Sequence, residues 1–294
     1  RLVGSEMCIR DRYAQVKNEF EAVVDKCQVK IYTNPEDCTK IRHEIAIPVF
    51  DKRDERLSTM TDESVPVYYS CIMCQAFSPS HVCVVTPERL GLCGAVSWLD
   101  AKATNELDPN GPCQVITKEK VIDERIGEYG DVNEAVRKLS QGALDDVSLY
   151  SIMEKPMTSC GCFECICGIE PFSNGVCIAN REYAGMTPLG MTFSELASMT
   201  GGGVQTPGFM GHGKHFIASK KFMKAEGGVA RIVWMPKELK EQVAEKLNET
   251  AKELYGIDNF TDMIGDETIA EDPETLVAFL TEKGHPALGM DPMM

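Results

Sequence analysis

The sequence lacks the long apolar segments and the targeting pattern that would point to a membrane or to secretion. No apolar run reaches the roughly 18 residues that a membrane-spanning helix needs, so the sequence predicts a soluble protein. The first residues show no basic region followed by an apolar core, which is the pattern of a secretory signal. Without such a signal we expect the reducing cytoplasm, where clustered thiols are more often metal ligands than disulfides.

Basic residues are also scarce. The 30 Lys and Arg residues face 45 Asp and Glu residues, which gives a formal net charge of −15. Nucleic-acid phosphates need a basic surface, and anionic membranes attract basic segments. Neither a nucleic acid nor a membrane surface is therefore expected as a partner.

The ends of the chain suggest that it is a piece of a longer protein. Residues 1–12, RLVGSEMCIRDR, resemble the translated sequencing-adapter tail seen at the ends of unrelated gene fragments. We interpret them as non-native and expect the natural N-terminal part to be missing. The polar stretch 51–64 predicts a linker. The predicted organisation is a tail over 1–12, the end of a preceding domain with its linker over 13–63, and a cysteine-rich C-terminal domain over 64–294.

Helical and strand patterns alternate along the chain and predict a mixed α/β fold with irregular Cys- and Gly-rich loops. Asn34 before Pro35 predicts the start of a helix, because Asn caps helices and Pro suits their first turn. Further helices are predicted at 13–28, 131–142, 236–255 and 273–283, and strands at 29–33, 147–153 and 229–235.

Four of the 13 cysteines follow a C-x2-C-x8-C-x9-C pattern and form what we name the first cysteine group: Cys71, Cys74, Cys83 and Cys93. Four thiolates can hold either zinc or a [4Fe–4S] cube. Zinc sites usually combine two short spacings, whereas the second pair here is widely spread, which favours an iron–sulfur cluster. Four unrelated buried cysteines are the alternative interpretation.

The second pattern is the Cys-Gly-Cys segment, residues 160–162. Two thiolates that flank a glycine can bind one ion in a plane, and two deprotonated backbone nitrogens can complete the square. Square-planar ligation by N and S indicates Ni(II) or Cu(II), because zinc prefers a tetrahedron. Glycine suits such a chelate because it tolerates uncommon backbone geometry. A flexible loop with two exposed thiols is the alternative for an isolated Cys-Gly-Cys.

Together the two patterns resemble acetyl-CoA synthase of the carbon monoxide dehydrogenase/acetyl-CoA synthase system. The Cys-Gly-Cys segment follows the first cysteine group after 66 residues. The strings CIMCQAF, HVCVVTPERLGLCGAVSW, SCGCFECI and GGGVQTPGFMGHGKHF are similar to that family as well. The similarity runs from about residue 13 to residue 294 and shows no departure at a ligand position.

The resemblance implies a [4Fe–4S] cluster on the first cysteine group and two nickel ions beside it. Cys74 would bridge the cube to a proximal nickel, which Cys160 and Cys162 would also bind. These two cysteines, with the backbone nitrogens of Gly161 and Cys162, would hold a distal nickel. Phe77 matches an aromatic position that lies over the proximal nickel in the family and gates access to it, without an acid or base role.

The resemblance also implies a function. The chain would belong to a CO-methylating acetyl-CoA synthase, an acyltransferase of anaerobic carbon fixation in the Wood–Ljungdahl pathway. It would condense CO, a methyl group from a corrinoid iron–sulfur protein, and CoA, with a CO dehydrogenase subunit as partner. Because the chain is acidic, the residues that bind CoA are expected upstream. The alternative is a non-catalytic iron–sulfur or zinc protein for electron transfer or structural support, which would not need Cys-Gly-Cys.

Several other residues could suggest different chemistry. The segment 208–215, GFMGHGKH, has the spacing of a P-loop, but a histidine stands where a P-loop carries Ser or Thr, so nucleotide hydrolysis is not expected. We expect a Gly-rich loop near the cluster, with its two histidines as polar loop residues, and His81 as a structural neighbour of the cluster. The remaining cysteines predicted as small core residues are Cys27, Cys38, Cys113 and Cys177, and the resemblance gives Cys165 and Cys167 no ligand role.

Overall fold

The computed structural model describes residues 32–76, 78–157, 161–201 and 205–293, together with five helical positions between residues 14 and 22. Within these ranges, helices and several small sheets make up a mixed α/β fold, which confirms the predicted class. None of the helices in these ranges is both long enough and apolar enough to span a bilayer.

The described helices range from six to 19 residues in length. They are α1 (Pro35–Ile41), α2 (Ile47–Leu57), α3 (Trp98–Leu107), α4 (Gly130–Leu139), α5 (Phe193–Ser198), α6 (Lys237–Tyr255) and α7 (Pro273–Lys283). The described strands are β1 (Val67–Cys71), β2 (Cys83–Val85), β3 (Val115–Thr117), β4 (Val121–Asp123), β5 (Glu128–Tyr129), β6 (Cys165–Glu170), β7 (Gly175–Asn180), β8 (Phe209–His212) and β9 (Ile232–Trp234).

The strands pair into two sheets and one two-stranded ribbon. The first sheet has the order β2-β1-β3 and is antiparallel. The second has the order β8-β6-β7-β9, in which only the β7–β9 pair is parallel. Strands β4 and β5 pair with each other. The first sheet carries Cys71 and Cys83. The second sheet begins with β6, three residues after the Cys-Gly-Cys segment, so a different sheet lies next to each predicted ligand group.

The second sheet has apolar residues packed on both faces. Every residue of β6 and β7 is buried. Ile166 on β6 belongs to the core that also contains the first sheet. Cys165 and Cys167, on the opposite face, belong to the core formed with α6. Because both faces are covered, these strands are mostly apolar and buried along their whole length rather than alternating, as in other fully buried strands.

The helix boundaries that depend on capping residues agree with the sequence. The Asn34 side chain accepts a hydrogen bond from the Glu36 N–H at 2.9 Å and caps α1 as predicted. Helices α4 and α6 lie where they were expected, and α7 has the predicted bounds. Gly256 ends α6 with a φ of 69°, in the left-handed region that favours glycine.

The predicted linker over 51–64 is wrong for its first half, because α2 continues to Leu57. Its charged residues are not all solvated: the Arg53 side chain is only 8% exposed. It donates hydrogen bonds to the carbonyls of Gly94 at 3.0 Å and Ala95 at 3.1 Å. These two residues directly follow the predicted ligand Cys93. The helix is therefore attached to the cysteine-rich part of the chain, while a domain boundary at 63/64 stays a prediction.

Two strand predictions differ from the structure. Residues 147–153 are mostly buried but form no strand, and they pair only through an isolated bridge between Ser148 and Pro156. The strand predicted at 229–235 is shortened to β9, because Gly228–Arg231 form a 3-10 turn. Of the predictions at 13–28 and 29–33, most residues lie outside the described ones, and residues 32 and 33 are not strand.

Two buried carboxylates connect separate parts of this fold. The Asp62 N–H donates to the Glu88 carboxylate at 2.9 Å, and the Glu88 N–H donates to the Asp62 carboxylate at 3.1 Å. The hydroxyl of Tyr150 donates to Asp62 at 2.8 Å, and that of Ser219 donates to Glu88 at 3.0 Å. Burial, with the nearby charge of Asp62, raises the pKa of Glu88 to about 7. Burial also raises the pKa of Asp62.

We expect Glu88→Gln to change how stability depends on pH. A pKa of about 7 in the folded state means that folding favours the neutral carboxyl of Glu88. This contribution is complete below the unfolded pKa and is lost as the pH rises through about 7. Between about pH 5 and pH 8, the wild type should therefore lose on the order of 2 kcal/mol of unfolding free energy relative to Glu88→Gln.

Urea denaturation at the two pH values measures this difference. Glu249→Gln changes an exposed glutamate on α6 and serves as the matched control, with the pH profile of the wild type. Parallel pH profiles for the wild type and Glu88→Gln would contradict the expectation.

Candidate metal centre

The first cysteine group is placed by a strand, a turn and a second strand. Cys71 ends β1 and stands opposite Cys83, which begins β2. Both side chains are buried, at 6% and 4% exposure. Between them, the 3-10 turn Met73–Ala76 carries Cys74, which is partly exposed. Antiparallel pairing thus brings together two cysteines that are 12 positions apart in the sequence, and leaves Cys74 at the accessible side.

Cys93 lies on the loop between β2 and α3. Its thiol accepts a hydrogen bond from the Ala95 N–H at 3.4 Å. Burial raises the pKa of this thiol, and the nearby Cys71 thiol adds to the increase. The chain turns directly after it at Gly94, which has a φ of 77°. The Cys71 and Cys93 thiols therefore lie close enough to influence each other electrostatically.

The glycine of the Cys-Gly-Cys segment has an uncommon backbone geometry. Gly161 has a φ of 79°, which L residues rarely adopt. A Cβ at Gly161 would meet no atom within 4 Å, so the dihedral angle rather than the available space requires glycine. Cys162 is partly buried. Cys160 and Phe77 lie outside the described residues.

The residues that follow the Cys-Gly-Cys segment contact the loop that carries Cys93. The Glu164 N–H donates to the Leu92 carbonyl at 2.8 Å. The Arg181 guanidinium donates to the Cys93 carbonyl at 2.6 Å. A Cβ at Gly94 would overlap the Glu164 carboxylate, so these two chain segments approach closely. The structure thus places Glu164, two residues after Cys162, next to the loop that carries Cys93.

A buried cation lies within the same region. Arg89, between Cys83 and Cys93 in sequence, is fully buried. It donates to the carbonyls of Leu149 at 2.7 Å and Met157 at 3.5 Å, and its guanidinium lies over the Phe216 ring at 5.1 Å. Burial lowers its pKa only to about 10, with the Cys83 thiol acting against this decrease, so Arg89 stays charged at neutral pH.

Cys113 is a neighbour of the site that the cysteine spacing did not reveal. The Ser70 N–H donates to the Gln114 carbonyl at 2.8 Å, which extends the pairing of β1 with the chain before β3. Cys113 thereby lies near Cys71, and the interaction of the two thiols raises the pKa of Cys71 and lowers that of Cys113. Its burial agrees with a small core residue, but only the strand pairing could have predicted this contact.

The other candidate residues have mixed outcomes. His81 is 2% exposed, and its Nε2 lies 3.1 Å from the Cys83 Sγ, as expected for a structural neighbour. The expected Gly-rich loop is wrong for residues 209–212, which form β8. His212 is fully buried there rather than a polar loop residue, because β8 pairs with the buried strand β6. Cys177 is buried as predicted, whereas Cys38 is exposed and is therefore not a core residue.

The donor set fits an anionic, thiolate-bound metal group. Among the described residues no three metal-binding side chains form a ready-made site. Ligands commonly adopt their final arrangement only with the metal, so adjacency of the thiols is the relevant observation. Cys71 is adjacent to Cys83 and interacts with Cys93. A buried guanidinium also needs an anion nearby, and metal-bound thiolates would supply one to Arg89.

Comparison with known proteins identifies the family. Residues 50–294 match the family model for the C-terminal part of the ACS/CODH beta subunit. The chain belongs to this family. It is 52% identical over 281 residues to the carbon monoxide dehydrogenase/acetyl-CoA synthase subunit alpha of Moorella thermoacetica, covering 96% of this chain and 38% of that protein. It is 46% identical over 272 residues to the acetyl-CoA decarbonylase/synthase complex subunit beta 2 of Methanocaldococcus jannaschii, covering 92% and 55%.

The family match confirms the resemblance to the ACS/CODH family that was noted in the sequence. A solved structure of the C-terminal domain of an acetyl-coenzyme A synthase alpha subunit is also similar, with 52% identity and a TM-score of 0.43. The match covers 46% of this chain and 99% of that domain. The chain spans 38% and 55% of the length of the two curated relatives, so it matches only part of each. The ligand role of each cysteine stays a prediction.

We expect Gly161→Ala and Gly190→Ala to destabilise the metal-free protein by similar amounts. Both glycines have a positive φ, 79° and 69°, and a Cβ at either one would meet no atom within 4 Å. The cost should therefore come from the backbone alone, at about 1–2 kcal/mol each. Urea denaturation measures it, and a loss at Gly161 several times that at Gly190 would show that space rather than the dihedral angle requires this glycine.

Proposed function

We propose that this chain is the metal-bearing C-terminal part of an acetyl-CoA synthase. The proposal is supported by the family, and by relatives that are named carbon monoxide dehydrogenase/acetyl-CoA synthase and acetyl-CoA decarbonylase/synthase. The observation that carries it to this chain's residues is the contact between the two cysteine-bearing segments. The N–H of Glu164, two residues after Cys162, donates to the carbonyl of Leu92, which directly precedes Cys93.

In this proposal the first cysteine group holds a [4Fe–4S] cluster. Cys74 would also hold a proximal nickel together with Cys160 and Cys162, and its partly exposed position on a turn suits this role. The same two cysteines, with the backbone nitrogens of Gly161 and Cys162, would hold a distal nickel. The left-handed backbone of Gly161 supports that chelate. Phe77 gates access to the proximal nickel.

The proposed reaction joins a methyl cation, CO and the CoA thiolate into acetyl-CoA. Atoms and charge balance in this sum, so no side chain needs to act as a general acid or base. When bound, nickel with an open coordination position would supply the place where CO and a methyl group are activated. The chain's own residues would supply the thiolates and exclude water, since Cys71 and Cys83 are both buried.

The proposed partners follow from the same assignment. CO would come from a CO dehydrogenase subunit, and the methyl group from a corrinoid iron–sulfur protein. The reaction would take place in the cytoplasm of an anaerobe, as part of Wood–Ljungdahl carbon fixation. The acidic chain offers CoA phosphates no evident basic patch, so CoA is proposed to bind mainly through other parts of the enzyme.

We expect the double variant Cys160→Ser/Cys162→Ser to lose nickel and keep the iron–sulfur absorption after anaerobic reconstitution. The wild type should bind about two nickel and about four iron per chain, as one [4Fe–4S] cluster with two nickel sites requires. The matched control is Cys165→Ala/Cys167→Ala. These cysteines come from the same Cys-rich run but lie fully buried on β6, so the control should keep both metals.

Two results would count against the proposal. Nickel that persists in Cys160→Ser/Cys162→Ser would refute the distal site. Tightly bound zinc as the sole metal of the wild type, with no exchange between CO and acetyl-CoA, would instead favour a non-catalytic metal protein.

Gly161→Ala should also weaken nickel binding, whereas Gly190→Ala, with a matching backbone cost, should not.

A further inference from the structure

Arg89 lies between Cys83 and Cys93 in the sequence, and hydrogen bonds hold its backbone in a turn. Its backbone N–H donates to the Thr86 hydroxyl at 2.9 Å, and its carbonyl accepts from the Thr86 N–H at 2.8 Å. This turn follows β2 directly, and β2 begins at Cys83. The Arg89 side chain therefore leaves the chain between two predicted iron ligands, Cys83 and Cys93, and enters the interior.

The partners of the Arg89 guanidinium among the described residues are all neutral. They are the carbonyls of Leu149 and Met157, the Met210 sulfur at 3.9 Å and the face of the Phe216 ring. The Nε atom is buried and has no hydrogen-bond partner in the described part of the chain. A fully buried cation is costly unless an anion compensates it, so these contacts leave the charge of Arg89 without a partner.

Other buried arginines differ in this respect. Arg53 forms an ion pair with Asp54 at 2.7 Å. Burial lowers the pKa of Arg231, but all three of its guanidinium nitrogens donate hydrogen bonds to carbonyls, whereas the Arg89 Nε has no such partner in the described part of the chain. The carboxyl group that acts on Arg89 is Asp62, but burial raises the pKa of Asp62 and thereby weakens it as an anion.

We propose that Arg89 is a positioning residue whose buried positive charge offsets the net negative charge of the thiolate-bound cluster and raises the cluster's reduction potential. This inference rests on the proposed function, because it needs an iron–sulfur cluster on the first cysteine group. The cluster would lie near this charge because Arg89 stands between two of its predicted ligands, six residues after Cys83 and four before Cys93, on a turn held by Thr86. Net charge near a cluster is among the factors that set its potential.

The expected size of the effect follows from electrostatics. Reduction adds one negative charge to the cluster, so a nearby positive charge favours the reduced form. At an effective dielectric constant of about 20, a unit charge about 10 Å from the cluster changes such an equilibrium by on the order of tenfold. For a one-electron couple, a tenfold change corresponds to about 59 mV.

The test compares neutral variants in the reconstituted chain. Arg89→Met removes the charge, and Arg231→Met removes a different buried arginine as the matched control. Redox titration followed by electron paramagnetic resonance measures the cluster potential, and iron analysis shows that the cluster is present. We expect Arg89→Met to shift the potential to more negative values by about 59 mV, the tenfold effect, and Arg231→Met to leave it unchanged.

A second pair of variants keeps Arg89 in place, for the case that Arg89→Met does not fold. Met210→Glu adds a carboxylate next to the guanidinium and should lower the potential in the same direction, whereas Met210→Gln should not. An unchanged potential in an iron-loaded Arg89→Met or Met210→Glu protein would overturn the inference and leave the proposed function intact. A wild type that takes up no iron–sulfur cluster would overturn both.

Discussion

The proposed centre depends on the contact between two chain segments that are far apart in sequence. The Glu164 N–H donates to the Leu92 carbonyl, and Arg181 donates to the Cys93 carbonyl, so the residues that flank β6 and β7 contact the loop after β2. Each segment is anchored in its own sheet, through Cys83 in β2 and Cys165 in β6. In the proposed centre, strands on both sides would limit where the two groups of sulfurs can meet, as a precise site requires.

The surrounding fold stabilises this contact through buried polar groups. Helix α2 is attached through Arg53, which binds the carbonyls of Gly94 and Ala95 directly after Cys93. The pair of Asp62 and Glu88 connects the end of this helical region to the cysteine loop. Buried polar groups of this kind cost free energy unless every partner is in place. Their presence here indicates that the backbone around Cys93 is held from several directions.

The sequence predicted the capped helices because capping depends on neighbouring residues, whereas the ligand roles of the cysteines stay a prediction. Asn34 predicts a helix start through its capping side chain, and Gly256 predicts a helix end through its left-handed backbone. The contact of Cys113 with Cys71 could not be predicted, since it arises from pairing between distant strands. The neutral surroundings of Arg89 were equally hidden. Residues 51–57 looked like a linker because charged residues dominate them, yet Arg53 is buried by contacts that only the fold supplies.

X-ray absorption at the nickel edge of the anaerobically reconstituted chain tests the central claim most directly. If the two cysteine-bearing segments share a sulfur, nickel should have sulfur and nitrogen ligands, with iron as a neighbour one bridging atom away. Nickel without an iron neighbour would contradict the account, because the Cys-Gly-Cys segment would then bind its metal apart from the iron–sulfur cluster.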